Sequence, residues 1–238
     1  MKKNNDIFGN AVLDFYHQKN WTNIMVHSPD FDDDEIPTAY LFRNFSEMPV
    51  LEQKALQLAA GKTLDVGACA GSHSLYLQEK NIAVKAIDLS EGAIEVCKLR
   101  GIKNAENIDF FDVKNEQFDT ILMLMNGSGI IGKMKNLNLF FTHLKTLLTP
   151  HGKVLLDSSD LQYLFDTDED GGIWVNPNKY YGELTYQLSY KGDKSGVFDW
   201  LYIDFNSLAL AAETNGFQCK LVKKGQHYDY LAVLTLNV

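Results

Sequence analysis

Between residues 60 and 160 the chain alternates short apolar runs with amphipathic stretches, and this alternation restricts the fold more than any other feature. KTLDVGA, AVKAIDLS, ENIDFFDV, FDTILMLM and KVLLDSSD read as strands. GSHSLYLQEKN, EGAIEVCKLRG and NLNLFFTHLKTLLTPHG read as helices, the last stopped by Pro150 and Gly152. Strands that are apolar almost throughout need cover on both faces, and right-handed strand–helix–strand crossovers supply it. An α/β fold on a mostly parallel sheet follows. After Asp160 the pattern breaks, and GELTYQLSY, the turn KGDKSG and VFDWLYID read as a β-hairpin. A helix over FNSLALAAETNG then leads into the strands FQCKLVKKG and YDYLAVLTLNV. These last two strands place an antiparallel edge pair on the sheet and bring it to seven strands.

The first sixty residues read differently. Asp6 to Lys19 has a helical apolar rhythm, and a second helix runs from Met48 to Gly61 with Pro49 near its first turn. Between them, Ser28 to Pro37 carries successive carboxylates without the spacing or central glycine of a calcium loop, so a solvated loop is expected. The expected organisation is one domain over residues 1–238. It comprises a helical cap (1–60), a core (61–160), a hairpin insertion (160–203) and a terminal helix with its strand pair (204–238).

Charge narrows the partners. A net charge of −9 with no basic run disfavours nucleic acid, whose binding rests on lysine and arginine displacing counterions. Cys69, Cys97 and Cys219 are odd in number and lack metal-ligand spacing, which argues against a disulfide framework or a zinc site. The N-terminal stretch has no apolar core of signal-peptide length, and no run approaches a membrane span. A reducing, cytoplasmic setting is expected.

The chemistry concentrates where the first core strand ends. Asp65, Val66, Gly67, Ala68, Cys69, Ala70 and Gly71 lead from strand to helix. Glycines there permit a tight turn and let a ligand reach the main chain without meeting a Cβ. Asp88, 23 positions after Asp65, ends the second strand, where a carboxylate can accept from both hydroxyls of a ribose or cap the next helix. Asp112 is expected to end the third strand, where it can accept from an exocyclic amine or, again, cap a helix. A nicotinamide dinucleotide site would need GxGxxG, and from Gly67 the next two required positions hold Cys69 and Ser72.

DVGACAG with Asp88 and Asp112 downstream resembles the S-adenosylmethionine site of class I methyltransferases, a Rossmann-like family. That family's first motif is an acid, any residue, then three glycines at alternate positions. Asp65, Gly67 and Gly71 match it, while Cys69 replaces the middle glycine. The resemblance implies that the Gly67–Gly71 loop, Ala68 included, holds the methionyl part and Asp88 the ribose. It implies Leu89 on an adenine face, and Asp112 with Val113 at the adenine edge. The fourth strand ends in MLMNGSGIIG, the position that faces the transferred methyl in this family. Asn126 is followed there by Gly-Ser-Gly and not by two prolines and an aromatic, so the pattern of nucleic-acid amino-methylation is absent. Asn126 can orient an acceptor or simply build a turn.

The implied function is methyl transfer from S-adenosylmethionine to a small molecule. The alternatives are a non-catalytic binder of that cofactor or its demethylated product, and, more remotely, an NAD-dependent oxidoreductase. No residue is singled out as a base, although His73, Asp157, His227 and Asp229 lie near strand ends or helix starts. Trp174, Tyr180, Tyr181, Tyr186, Tyr190, Trp200 and Tyr202 crowd the hairpin region. Such residues suit a lid, a substrate wall or a dimer contact, whereas Leu184, Tyr186, Leu188 and Tyr190 at alternate positions suit packing on the domain.

Overall fold

A computed structural model describes residues 6–165 and 179–237. Helix α1 (Ile7–Tyr16) begins at Asp6, whose carboxylate accepts from the Gly9 N–H at 2.9 Å. Strands β1 (Ile24–His27) and β2 (Asp34–Ile36) follow, then α2 (Val50–Leu58). The core runs β3 (Thr63–Val66), α3 (Ser72–Glu79), β4 (Val84–Asp88), α4 (Glu91–Leu99), β5 (Ala105–Asn107), β6 (Phe118–Met123), α5 (Leu137–Leu147) and β7 (Leu148–Ser159). The chain ends with β8 (Glu183–Tyr190), β9 (Asp193–Leu201), α6 (Phe205–Thr214), β10 (Phe217–Lys224) and β11 (Asp229–Leu236).

The large sheet has the order β10-β11-β7-β6-β3-β4-β5. The five core strands are mutually parallel, and β11 runs antiparallel to both β7 and β10. The seven-stranded, mostly parallel sheet read from the sequence is therefore present. Its central strands β3 and β6 are buried on both faces, as their composition requires. Ile121 and Met123 of β6 join Phe140, Phe141 and Leu144 of α5 in one core, while Leu122 joins Leu51, Leu56 and Leu77 from α2 and α3 on the other face.

Three local readings need correction. The N-terminal region is not purely helical: β1 pairs with β2 on one side and with β8 on the other, giving a second sheet of order β2-β1-β8-β9. The acidic stretch is not all loop either, because Asp34–Ile36 forms the edge strand β2. A charged edge strand discourages pairing with another chain, which is why so polar a segment can be a strand. Finally, β5 stops at Asn107, and Phe110–Asp112 forms a 3₁₀ turn that turns Phe110 inward against Phe140. The turn between β8 and β9 is only Lys191-Gly192, both with positive φ, the geometry that follows strand twist in a tight hairpin. Trp174 lies outside the described residues.

Candidate functional site

The carboxyl ends of β3, β4, β6 and β7 meet where the strand order reverses, the place at which open α/β sheets take their ligands. The loop after β3 is bound to β4, since the N–H groups of Gly67 and Ala68 both donate to the Ile87 carbonyl. Gly67 (φ +71°) has open space before it, and a Cβ there would meet only Ile130, at 3.7 Å. Gly71 (φ +80°) is required for packing, because a Cβ would lie 2.2 Å from Ile102 Cδ1. Cys69 replaces the middle glycine yet adopts φ +48°, and its N–H donates to Asp88 Oδ2 at 2.8 Å. That charged acceptor helps hold a left-handed conformation which a non-glycine residue otherwise avoids. Burial raises the Cys69 thiol far above its usual value, so it stays neutral.

Asp88 is not the cap of α4. Ser90 takes that position and accepts from the Ala93 N–H at 2.9 Å. The two Asp88 oxygens accept instead from Cys69 N–H and Ser90 N–H, each at 2.8 Å. A carboxylate offers about four lone-pair directions, so two remain for a ligand. Burial pushes the Asp88 carboxyl up to about 6, against the lowering effect of those two N–H groups. Leu89 beside it is 72% exposed, an apolar surface with nothing over it.

The third acid is placed differently from expectation. Asp112 does not end β5. It sits in the following 3₁₀ turn, exposed, beside Lys114, His143 and Thr146 on the α5 flank. The carboxylate at the strand exit is Asp109, which accepts from the Phe111 N–H at 2.8 Å. The strand ends early because Phe110 must turn into the core, and Val113 is buried in that same core. The doublet of aromatics before Asp112 was the available signal of this turn.

Beyond β6, Met125 and Asn126 both have positive φ. Asp157 at the end of β7 spans them, accepting from Met125 N–H at 3.1 Å and Gly127 N–H at 3.0 Å. Asn126 Oδ1 accepts from Ser159 Oγ at 2.9 Å, so this side chain is tied to β7. Burial, with Glu52 nearby, pushes Asp157 up to about 7. Its two bonds make it a clamp on the turn. Of the other candidate bases, His73 is buried in an ion pair, while Asp229 accepts from the exposed His227's backbone N–H within their own turn.

Sequence reading missed a buried polar network under the glycine loop. Glu52 of α2 accepts from His73 Nε2 of α3 at 2.7 Å and pairs through the same oxygen with Arg43. His73 Nδ1 lies 3.9 Å from Asp65, which accepts from Ser74 Oγ at 2.6 Å. These partners hold Glu52 below its usual range and raise His73 despite burial, while burial dominates at Asp65 and raises it. No spacing in the sequence links Arg43, Glu52 and His73.

The small sheet roofs this region. Leu188, Tyr190 and Phe198 share a cluster with α1 and with Cys69 and Ala70 of the glycine loop. Trp200 lies directly on the backbone of Gly129, where a Cβ would meet its ring at 1.8 Å. Of the two roles open to the hairpin, packing on the domain is plainly one.

An open α/β sheet of this order, with a glycine loop after its first strand and a carboxylate ending its second, defines a nucleoside-binding Rossmann-like protein. Comparison with known proteins takes this further. A family model described as a methyltransferase domain matches residues 64–156. A S-adenosylmethionine-dependent methyltransferase from Bacteroides fragilis, solved in complex with S-adenosylhomocysteine, is 50% identical with a TM-score of 0.91. The match covers 98% of this chain and 95% of that one. The chain belongs to the S-adenosylmethionine-dependent methyltransferase family, and S-adenosylmethionine is its methyl donor. More distant likenesses are of fold alone. The sugar N-methyltransferase KedS8 from Streptoalloteichus sp. has 16% identity and TM-score 0.57, covering 79% of this chain and 85% of its own. A S-adenosylmethionine-dependent methyltransferase from Clostridium acetobutylicum has 14% identity and TM-score 0.57, covering 77% and 87%. No curated protein matches the sequence. Among the described residues no helix is long and apolar enough to cross a membrane.

Proposed function

We propose that the protein methylates a small molecule held between the carboxyl edge of the large sheet and the roof of the small one. The observation that carries this reading is the seat of the roof. Trp200 on Gly129 brings the hairpin over the end of β6, while Leu188, Tyr190 and Phe198 pack in one cluster with α1 and the edge of the glycine loop. A site roofed in this way suits a compact acceptor, and excluding water strengthens the polar contacts that orient it.

S-adenosylmethionine supplies an electrophilic methyl group on a sulfonium, which an in-line displacement transfers. The residues present fit this cofactor: the space before Gly67 is open, Asp88 keeps two acceptor directions, and Leu89 is bare. In this reading the Gly67, Ala68 and Gly71 main chain and Asp65 line the methionyl end. Asp88 takes the ribose hydroxyls and Leu89 an adenine face. The adenine edge falls to Asp109 at the β5 exit, with the Asp112–Val113 backbone behind it. Asn126, held by Ser159, faces the acceptor. The protein's main contribution is geometric: fixing two reactants in a near-attack arrangement supplies about 7–11 kcal/mol of such a barrier.

The test is transfer of labelled methyl groups from S-adenosylmethionine to cell extract separated by size. Label that appears, only with active enzyme, in a filtrate compound separated by chromatography from the donor supports the reading. Label confined to protein or nucleic acid refutes it.

A further inference from the structure

The inner face of the small sheet carries polar groups that packing does not use. Val26 of β1 stands opposite Leu188 of β8 on one side and Asp34 of β2 on the other, and directly opposed residues share a face. Leu188 packs in one cluster with Cys69 and Ala70 of the glycine loop, so this face, Asp34 included, is turned toward the large sheet. Tyr186, two positions from Leu188, falls on the same face, with its ring 6.3 Å from that of Phe198. Its hydroxyl donates to the Tyr202 hydroxyl at 3.3 Å, and both side chains are only partly buried.

Tyr202 is fixed where β6 and β7 end. Ser128, two residues after Asn126, donates to the Leu201 carbonyl at 2.8 Å, and the Ile203 N–H donates to Ser158 Oγ at 2.9 Å. Ser159, next along, is the residue that donates to Asn126. The phenol pair therefore borders the part of the cleft given above to the acceptor.

The electrostatics there are of one sign. Burial raises the Tyr186 and Tyr202 phenols, and the Asp34 charge raises both further, so they stay protonated and Asp34 lies within electrostatic reach of each. Among the described residues, Asp30 pairs with Lys179 and Asp33 with His27, whereas Asp34 accepts only from the neighbouring Glu35 N–H and has no cationic partner. Tyrosine ring faces are electron-rich, and phenol oxygens keep spare lone pairs. Such rings beside an unpaired carboxylate attract an organic cation and repel an anion, while a neutral compound gains nothing from the charge.

We propose that the acceptor carries an ammonium group, and that Tyr186, Tyr202 and Asp34 on the inner face of the small sheet hold it. This rests on the reading that a small-molecule acceptor lies beneath the roof, and it names that acceptor's class as a compact amine. The three residues then determine specificity, and the donor site is untouched by them.

The experiment passes the small-molecule filtrate of a cell extract over a cation exchanger at neutral pH. The retained and unretained pools are then offered to the protein with methyl-labelled S-adenosylmethionine. A labelled product, separated from the donor by chromatography and formed only with active enzyme, should require the retained pool. Product formed from the unretained pool alone overturns the proposal and leaves the small-molecule reading intact. Label found only in macromolecules refutes that reading, and the proposal with it. With the retained pool, Asp34→Asn and Tyr186→Phe should each raise the amount needed for half-maximal rate about threefold to tenfold. Calorimetric affinity for S-adenosylhomocysteine should stay as in wild type. Asp34 is exposed on an edge strand, so its replacement leaves the fold in place even if Tyr186→Phe does not. Unchanged half-saturation in Asp34→Asn, or a loss of donor affinity in step with it, overturns the proposal.

Discussion

The two flanks of the cleft are built in opposite ways. On the nucleoside flank, Gly67, Cys69, Gly71 and Asp88 are close in sequence and come together through one strand–helix–strand unit. On the roof flank, Val26 of β1 pairs with Leu188 of β8, and Trp200 of β9 rests on Gly129 after β6, contacts made across long stretches of chain. The nucleoside flank also keeps groups with unused capacity, polar at Asp88 and apolar at Leu89, whereas the roof spends most of its side chains on packing. A site assembled locally can hold one fixed ligand by a short motif, while a roof assembled from distant segments is free to differ with the acceptor.

The sharpest way to probe this contrast is at the joint beneath both flanks. Glu52 pairs with the buried Arg43 and His73 through one oxygen, and removing its charge leaves the Arg43 guanidinium without a carboxylate partner. Glu52→Gln should destabilise the apo protein by about 3–5 kcal/mol in urea unfolding. A loss below about 1 kcal/mol, the worth of an exposed ion pair, would show the network is not structural. The roof seat comes next. Gly129→Ala drives a methyl into the Trp200 ring, and overpacking of that kind costs about 1–3 kcal/mol. Adding Trp200→Ala should recover part of that lost stability in urea unfolding only if the hairpin sits where described.

The nucleoside flank is better probed by pH. Burial raises Asp88 from 3.8 to about 6, so between those values the folded state keeps a proton the unfolded chain has lost. Its contribution to apo stability therefore declines as pH rises through that window and is constant above it. Ribose binding needs the anion, so cofactor affinity runs the other way. S-adenosylhomocysteine affinity should fall by up to about tenfold per pH unit below pH 6. A flat calorimetric profile from about pH 7 down to about pH 5, on either side of the Asp88 value near 6, would remove Asp88 from the site. The smallest effect is expected at Leu89, 72% exposed. Leu89→Ala should leave apo stability within about 0.5 kcal/mol and weaken S-adenosylhomocysteine about threefold to tenfold. Unchanged affinity would mean the adenine lies elsewhere.

How much of this was legible follows the same division. The succession of core strands along the chain, the glycine loop after the first of them and the position of Asp88 at the end of β4 were readable because strand periodicity and a fixed spacing carry them. The strand-end placing of Asp112 was not readable, since the buried Phe110 ends β5 earlier than its apolar character suggests and leaves Asp109 at the exit. The tolerance of Cys69 at a glycine position became clear only with Asp88 beneath its N–H. Strand β2 was hidden by its charges, and its pairing with β1 is visible only once β8 has been placed. Arg43, Glu52 and His73 lie on three different elements, and nothing local announces that they share an oxygen.

The central claim is that the nucleoside flank holds the methyl donor through the Asp88 carboxylate. The direct measurement is S-adenosylhomocysteine calorimetry on wild type and Asp88→Asn near pH 7.5, about where the carboxylate is ionised, with apo thermal melts of both. Two charged hydrogen bonds to ribose hydroxyls would be lost or weakened, so affinity should fall at least about tenfold. The apo melts should stay close, because a neutral side chain relieves the buried charge while one oxygen still accepts from the loop. Unchanged affinity in a folded Asp88→Asn protein would contradict the account.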